Sequence, residues 1–472
     1  MWTISDFPAY GMLSGWTIHG RLACPHCQDN TDAFWLTHGR KSSWFDCHRR
    51  FLGSNHVYRR NKRSFRKNKV VRDGPPPVYD GNYLLQLFSD FYVVETAQCG
   101  GNGHDRIDGY GEQHNWHKKS IFWELPYWKD QLLRHNFDVM HIEKNFFENI
   151  INTVLNVQGK TKDNLKSRLN LVDICHRPHQ HVDELGRGPF PEFRLHPAQK
   201  SPFFDWIQSS VKFPDGYVSY LGNCVDDTSG QLFGLKSHDC HVIMGILFPF
   251  AFTELLPREV HKAIADVGAF FRDLCSRSFT EGGLQTLDAN IPLILCNLEK
   301  IFPPSFFDVM EHLPIHLPRE ARLGGPVQYR WMYQFERYMF HLKKKVKNLS
   351  KVERSIVAQS LNEETSNFTQ YYFAPNIQTK ARRPGRYDDG GRRPFYHSYV
   401  PGIFQEIGRF SGKRKGIWLT EQEVSHIHTY ILRNCEDILP YESIFANQAR
   451  EAHADISDQA LEEMKQELFA KC

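Results

Sequence analysis

Two cysteines, Cys24 and Cys27, enclose a Pro-His dipeptide near the start of the chain, and this C-x2-C pair constrains the fold more than any other feature. Two thiolates on one tight turn can bind the same Zn²⁺ at about 2.3 Å, but a structural zinc takes four ligands. The fold must then bring two further side chains to this turn. The alternative is a pair of buried or redox-active cysteines that binds no metal.

The two further ligands have two possible sources in the sequence. The local candidates Cys47, His48 and His56 follow a predicted β-hairpin. The distant candidates His312 and His316 stand at positions i and i+4, which would place both imidazoles on one helix face. Prolines between and after this pair weaken the helical argument, because proline kinks a helix interior. The residues alone leave both sources open, with ordinary core histidines as the alternative for the distant pair.

Composition indicates a large globular protein. The chain has 472 residues, of which 41% are hydrophobic, so it can form two or three domains with real cores. Its eleven cysteines are scattered, and its first residues lack the pattern of a secretory signal, so we expect a reducing compartment. No segment has the roughly 18 apolar residues of a membrane-spanning helix, so a membrane partner is not expected.

Residues 59–72 form a basic run with eight lysines and arginines and no acid. Tyr58 and Phe65 are interleaved with these charges. The run could therefore neutralise phosphates, stack on bases or act as a nuclear import signal, whereas a solvated surface loop is the alternative. The candidate nucleic-acid contacts are Arg59, Arg60, Lys62, Arg63, Arg66, Lys67 and Lys69.

Three carboxylates are candidates for a catalytic metal site. Glu336 lies in a predicted helix over residues 331–346, beside an apolar stripe and about two turns before three lysines. A carboxylate near cations could hold a divalent metal at a phosphodiester, and a solvated surface glutamate is the alternative. Asp138 and Glu143 are rivals at the start of another predicted helix.

A His-Asp pair in the stretch SHDCH raises a different possibility. His238, Asp239 and His241 could belong to a metal-dependent hydrolase if further histidines and carboxylates converge on them. The sequence assigns no such partners. Ordinary helical packing is therefore the favoured interpretation of this cluster.

The pattern of elements favours an α+β fold that is mainly helical. The runs AFWLT and SSWFDC flank HGRK, which predicts a β-hairpin, and Thr420 with Glu423 predicts a helix capping box. The predicted segments are a β-rich unit with the cysteine pair and basic run (1–77), a segment with a loop over 78–120 and a helix after Asp138 (78–200), a helical domain (201–375), a linker (376–400) and a small helical domain (401–472).

Many stretches, in matching order, resemble plant CACTA-type (En/Spm) transposases over roughly residues 2–375. They include ISDFPAYGMLSGWTIHGRLACPHC, RHNFDVMHIEKNFFENIINTVLNVQGKTKDN, GLKSHDCHVIM, FPPSFFDVMEHLPIHLPRE and GPVQYRWMYQFERYM. Residues 231–360 resemble the helical domain of unknown function that follows the transposase segment in these elements.

The resemblance implies a ribonuclease-H-like core in which three acids bind two divalent metals, Mg²⁺ or Mn²⁺, that cut and join DNA at element ends. A related enzyme, the catalytic subunit of the V(D)J recombinase, binds one zinc through a C-x2-C and a histidine pair placed shortly before its third acid. By that analogy Cys24, Cys27, His312 and His316 hold a structural Zn²⁺, and Glu336 is the third acid. The implied partners are DNA and other transposase subunits, and the implied location is the nucleus.

The chain also departs from these relatives. They carry their first two acids upstream of the stretch ISDFPAYG, so we expect an N-terminally truncated copy with an incomplete core that is catalytically incompetent alone. Asp138 and Glu143 rank behind Glu336 as the third acid, because no histidine pair precedes them at the required spacing. The alternatives are a non-catalytic nuclear module that binds DNA or protein, and the hydrolase described above.

Overall fold

The structure is a computed structural model that describes residues 2–90, 109–183, 185–214, 217–374, 377, 419–433, 438–453 and 456–469. These residues are mainly helical with a few short strands, so the expected α+β, mainly α class is confirmed. The chain divides into two compact units, residues 1–344 and 345–472. The finer division into five segments stays a prediction.

The strands of the described residues pair two by two. The first pair is parallel and joins chain segments far apart in sequence, with Thr3 opposite His135 and Ile4 opposite Asn136. The second pair is the predicted antiparallel hairpin. A ribonuclease-H-like sheet is not shown and stays a prediction. The strands are β1 (Thr3–Ile4), β2 (Phe34–Leu36), β3 (Lys41–Ser43), β4 (His135–Asn136), β5 (Val225–Asp226) and β6 (Gln231–Leu232).

Helices supply most of the packing, and none of those described combines the length and apolar character of a membrane span. The helices of the first unit are α1 (Phe7–Ser14), α2 (Val57–Arg60), α3 (Gly81–Asp90), α4 (Val139–Val154), α5 (Leu165–Ile174), α6 (Pro197–Ser209), α7 (Ser237–Val242), α8 (Phe248–Ala251), α9 (Arg258–Leu274), α10 (Glu281–Ile301), α11 (Val309–His312), α12 (Leu317–Gly324) and α13 (Tyr333–Lys345), the last of which ends at the first residue of the second unit.

Helix α4 is central to the main core. Asp138 caps it by accepting a hydrogen bond from the Met140 amide at 3.3 Å, which confirms the predicted helix start. Ile142, Phe146 and Ile150 recur on one face and are fully buried. Burial of each such side chain contributes about 1.5–3 kcal/mol, so Phe146→Ala would remove about 3–5 kcal/mol once the cavity is included. Helices α7 and α11 pack on α4 and bring their own side chains next to it.

The loop predicted over residues 78–120 is wrong in its first part, because α3 lies there. Leu84 and Phe88 of this helix pack with Trp16 and Trp116 in a small separate core. The Phe88 and Trp116 rings meet edge to face with centroids 4.7 Å apart. This aromatic contact outweighs the polar, glycine-rich composition from which the loop was predicted. Residues 91–108 lie outside the described residues.

The second unit contains α14 (Val352–Thr369), α15 (Glu421–Arg433), α16 (Leu439–Ala452) and α17 (Asp458–Leu468). The predicted capping box of α15 is present: the Thr420 amide donates to Glu423 Oε2 at 2.8 Å, and the Glu423 amide donates to Thr420 Oγ1 at 3.3 Å. Of the predicted linker, 376–400, only residue 377 is among the described residues.

Candidate metal centre

Cys24, Cys27, His312 and His316 meet at one point, with one ligand atom from each within 4.8 Å of all the others. The His316 Nε2 atom lies 3.3 Å from Cys24 Sγ and 3.4 Å from Cys27 Sγ. The His312 Nε2 atom lies 3.2 Å from Cys27 Sγ and 3.3 Å from His316 Nε2. A tetrahedral Zn²⁺ separates neighbouring sulfur and nitrogen ligands by roughly 3.3–3.8 Å. The structure therefore brings together the four predicted ligands at the spacing that the metal requires, and their binding of zinc stays a prediction.

The cysteine side of the centre is a tight turn. The Gln28 amide donates to the Cys24 carbonyl at 2.9 Å, and Gln28 itself has a positive φ of 49°. The Cys27 amide points at Cys24 Sγ at 3.4 Å, the direction of a hydrogen bond to a thiolate. This closed turn places both sulfur atoms on one side.

The histidine side is built from successive short helical segments. His312 ends α11, a 3₁₀ turn covers Leu313–His316, and α12 begins at the next residue. Pro314 and Pro318 stand in the first turns of the two new segments, where the missing proline amide donor has no partner to lose. The prolines that weakened the single-helix prediction thus mark boundaries between segments, and both Nε2 atoms still face one point.

The pKa values of the two thiols are shifted in opposite directions. Burial opposes ionisation of Cys24, but the hydrogen bond with Cys27 and the charges of His316 and His312 hold the pKa of its thiol well below the ordinary value. Burial, followed by the neighbouring Cys24, raises the pKa of the Cys27 thiol. A metal that binds both sulfurs would displace any proton that remains on them.

The second ring nitrogen of His312, Nδ1, contacts a buried chain of polar side chains. His312 Nδ1 lies 3.3 Å from His48 Nε2, and His48 Nδ1 lies 2.6 Å from Glu299 Oε1. Burial raises the pKa of Glu299 to about 8. Metal-ligating histidines commonly use their other nitrogen on such a partner, which fixes the ring and its tautomer. Cys47 lies 3.7 Å from His312 Nδ1.

The local candidate ligands Cys47, His48 and His56 do not join the group formed by Cys24 and Cys27. Cys47 and His48 form a group with His312, on the face of that ring turned away from Cys27. His56 instead caps α2, where its Nδ1 accepts from the Tyr58 amide at 3.2 Å. The described structure thus favours the distant source of ligands over the local one.

The carboxyl ends of β1 and β4 form a second feature, here called the β1–β4 edge. Asp138 follows β4, is 3% exposed, and its Oδ1 accepts from the amides of Met140 at 3.3 Å and Met332 at 3.2 Å. Burial raises the pKa of Asp138 to about 6, and the charge of Glu336 adds to the shift. Its Oδ2 is buried and has no hydrogen-bond partner among the described residues. Glu336 is exposed on α13, one turn after Met332, and so belongs to this edge.

Asp6 belongs to the same edge and was missed by the sequence analysis. It follows β1 as Asp138 follows β4, because Ile4 pairs with Asn136. Asp6 caps α1 by accepting from the Ala9 amide at 2.9 Å. The available signal was the stretch TISDFP, residues 3–8, in which an acid stands between a strand end and a helix start that carries a proline.

Glu143 and the SHDCH cluster take other roles. Glu143 Oε1 lies 2.8 Å from His241 Nδ1, and these two form a further group with Cys275. Asp239 accepts hydrogen bonds from the amides of Lys236 and Ser219, which fixes the start of α7. His238 and Asp239 join no potential metal group within the described ranges, so the predicted hydrolase cluster is not assembled there.

The basic run is partly used by the fold itself. Arg59 is buried and donates to the carbonyls of Arg50 at 2.7 Å and Leu52 at 2.8 Å. The guanidinium of Arg66 lies over the Phe34 ring, Lys67 donates to the Val172 carbonyl, and Lys69 pairs with Asp32 at 2.8 Å. Arg60, Lys62 and Arg63 are exposed, and the structure gives their side chains no ion pair with any described residue. These three members of the predicted set of contacts therefore remain exposed to solvent.

Two family models match the chain. The model described as Transposase family tnp2 matches residues 1–91, and the model described as Domain of unknown function (DUF4218) matches residues 274–388. No curated protein and no solved structure matches the chain. The metal centre takes its cysteines from the first matched segment and its histidines from the second. Together the two matches support derivation from a transposase.

Proposed function

We propose that this transposase-derived chain is a zinc-containing DNA-binding protein of the CACTA (En/Spm) transposase type that acts on transposon ends in the nucleus. The observation that carries the proposal is the convergence of Cys24 and Cys27 with His312 and His316. These pairs come from the two segments that match family models. One bound ion would hold the two segments together.

The donor set supports zinc over other metals. Two thiolates and two imidazoles in a closed, buried, tetrahedral arrangement are the donor set of structural zinc sites. Mg²⁺ and Ca²⁺ prefer oxygen ligands, which this centre does not offer. The role is structural, because the four protein ligands leave no coordination position for substrate.

Exposed arginines and a lysine in the basic run support DNA binding. Arg60, Lys62 and Arg63 face solvent, whereas Arg59 is tied to backbone carbonyls. Each phosphate contacted on duplex DNA contributes about −0.9 to the slope of log affinity against log salt concentration. Loss of all three exposed cations should therefore flatten the slope by about 2.7.

The DNA experiment is a salt titration of affinity for a labelled element-end duplex, measured by fluorescence anisotropy. The variant Arg60→Gln/Lys62→Gln/Arg63→Gln should bind weakly and show the flatter slope. The matched control Lys166→Gln/Lys212→Gln/Arg258→Gln removes three exposed cations elsewhere in the first unit and should bind like the wild type. Equal slopes for the two triple variants would place DNA on another surface.

Strand cleavage by this chain alone is not expected. Two-metal phosphoryl transfer needs several carboxylates whose oxygens are free for the ions, here Mg²⁺ or Mn²⁺. At the β1–β4 edge, Asp6 and Asp138 each use an oxygen to cap a helix. Burial also raises the pKa of Asp138 to about 6, which disfavours its charged form. Cleavage would then require other transposase subunits as partners.

Metal-dependent DNA cleavage at the β1–β4 edge is the second candidate function. The buried Oδ2 of Asp138, which has no partner among the described residues, favours it, and Glu336 stands close enough to affect the charge of Asp138. The test incubates an end-labelled element-end duplex with the full chain and Mg²⁺ or Mn²⁺. Products of defined length that disappear in Asp138→Asn and in Glu336→Gln would establish cleavage and overturn the expectation of a binding role alone.

A further inference from the structure

A second group of potential metal ligands lies within the helical part of the first unit. It consists of Glu143 on α4, His241 on α7 and Cys275, which directly follows α9. One ligand atom from each lies within 4.8 Å of the other two. The three donors are an oxygen, a nitrogen and a sulfur, and none of them belongs to the metal centre described above.

Packing holds these three donors in place. Helix α7 packs against both α4 and α9, so the group stands where three helices meet. Glu143 is 5% exposed, and its Oε1 lies 2.8 Å from His241 Nδ1. This contact restrains the His241 imidazole, and the His238 ring lies nearly parallel to it with centroids 6.3 Å apart. Such restraint favours ion binding, because little side-chain freedom remains to be lost.

A buried hydroxyl next to the group also has no partner. The hydroxyl of Tyr333 has no hydrogen-bond partner among the described residues, although it is buried. Burial is the largest cause that raises the pKa of this phenol, and the charge of Glu143 adds to it. The Tyr333 ring meets the His238 ring edge to face with centroids 6.2 Å apart, and the His238 ring lies next to that of His241, so Tyr333 lies beside the group. A buried hydroxyl without a partner is destabilising, and an ion or its bound water would offset this cost.

A nucleophilic Cys-His-Glu site is the other chemistry that these residue types allow. Burial raises the pKa of the Cys275 thiol well above its ordinary value, so the free thiol is not the reactive thiolate that such a site needs. A bound divalent cation removes this obstacle, because it deprotonates a coordinating thiol outright and the proton passes to solvent.

We propose that Glu143, His241 and Cys275 bind a second zinc-class divalent ion, whose fourth position is open to water or to the Tyr333 hydroxyl. Zinc accepts oxygen, nitrogen and sulfur donors in a tetrahedron, and sites with three protein ligands keep one position free. The ion would connect α4, α7 and α9. Its open position distinguishes it from the closed four-ligand centre.

The test is the zinc content of the purified full chain, measured by mass spectrometry against protein concentration. The wild type should contain about two zinc ions per chain, and Cys275→Ser or His241→Gln should contain about one. The matched control Cys240→Ser replaces another buried thiol on α7 and should retain about two. A zinc content that Cys275→Ser and His241→Gln leave unchanged would overturn the proposal.

A second measurement, by spectroscopy, reports directly on the sulfur ligand and does not depend on the zinc count alone. In the chain reconstituted with Co²⁺, the wild-type spectrum minus that of Cys275→Ser should show a thiolate-to-cobalt charge-transfer band from one sulfur ligand, and no such band would overturn the site. The sulfur bands that remain in Cys275→Ser should come from Cys24 and Cys27 of the first centre. If no sulfur band remains in Cys275→Ser while the difference band is present, the first centre fails and the second stands.

Discussion

The metal centre and the β1–β4 edge both gather chemically active side chains from distant parts of the chain, but the side chains are committed differently. The Nε2 atoms of His312 and His316 lie 3.3 Å apart and 3.2–3.4 Å from the sulfur atoms that they contact. At the edge, Asp6 and Asp138 each use one carboxylate oxygen to accept a hydrogen bond from the first turn of a helix. Carboxylates whose oxygens already cap helices are poor metal ligands, whereas the sulfur and nitrogen atoms that contact one another at the centre remain available to an ion. The comparison therefore predicts large effects at the centre and smaller, pH-dependent effects at the edge.

The largest effect is expected from removal of the metal at the centre. Cys24→Ser/Cys27→Ser should lower the zinc content by about one ion per chain and remove an apparent binding free energy on the order of 10 kcal/mol. Because the ion connects two segments of the first unit, thermal unfolding should begin far below the wild-type transition. Cys224→Ser replaces a buried cysteine that joins no potential metal group among the described residues, and it should behave like the wild type. Equal unfolding curves for both variants would mean that no stabilising metal binds at the centre, and the predicted difference between the centre and the edge would be wrong.

The next effect concerns Asp138 at the edge. Its folded pKa of about 6 lies above the ordinary value of 3.8, so the folded state binds this proton more tightly. The stability that the proton contributes is fully present below pH 3.8 and is lost as the pH rises through about 6, by roughly 2–3 kcal/mol. Asp138→Asn keeps an equally good helix cap but removes the titration.

Chemical denaturation from pH 3 to pH 8 measures this prediction for Asp138. Relative to the wild type, Asp138→Asn should gain stability as the pH rises through this window. Parallel profiles for the two proteins would mean that the carboxylate is accessible to water or already bound to a cation. The edge would then resemble the metal centre more closely than the comparison allows.

A moderate effect is expected where Glu299 supports the centre through His48. Glu299→Gln keeps an acceptor for the Asp46 amide, at 2.7 Å in the wild type, but replaces the carboxyl group that contacts His48 Nδ1 at 2.6 Å. Substitution of such outer partners lowers metal affinity about 10–100-fold. Competition with a chelator measures this loss, and Glu259→Gln, an exposed substitution on α9, should show none.

The smallest effect is expected from Glu336 at the edge. Its charge helps to raise the pKa of Asp138, so Glu336→Gln should move the midpoint of the Asp138 titration to lower pH. Glu336 is exposed, and the change in stability should stay below about 1 kcal/mol. An NMR titration of the Asp138 carboxyl follows this shift directly, with Glu353→Gln as the control. An unchanged midpoint would mean that the charge of Glu336 does not act on Asp138 and that Glu336 does not belong to the edge.

The convergence of Cys24, Cys27, His312 and His316 was predictable because the spacing within each pair is a local pattern in the sequence. A C-x2-C turn and a histidine pair are local patterns, and the resemblance to transposases linked the two. The segment boundaries at Pro314 and Pro318 were not predictable, since a proline is read either as a kink or as a helix start until the neighbouring packing is known.

Other residues depend on tertiary contacts that no local pattern records. Asp6 gains its place at the edge only because β1 pairs with β4, which lies far along the chain. Arg59 carries the same charge as Arg60, but only Arg59 meets the carbonyls of Arg50 and Leu52. Composition predicted a basic surface for both arginines, whereas the fold leaves only Arg60 exposed.

The measurement that tests the central claim most directly is X-ray absorption at the zinc edge of the full-length Cys275→Ser variant, which removes a ligand of the second proposed site. The account predicts two sulfur ligands at about 2.3 Å and two imidazole nitrogens at about 2.0–2.1 Å around one ion. The imidazole contribution should fall in the same protein carrying His312→Ala. An oxygen-dominated shell, a shell of sulfur alone, or a spectrum that His312→Ala leaves unchanged would contradict the centre formed by Cys24, Cys27, His312 and His316.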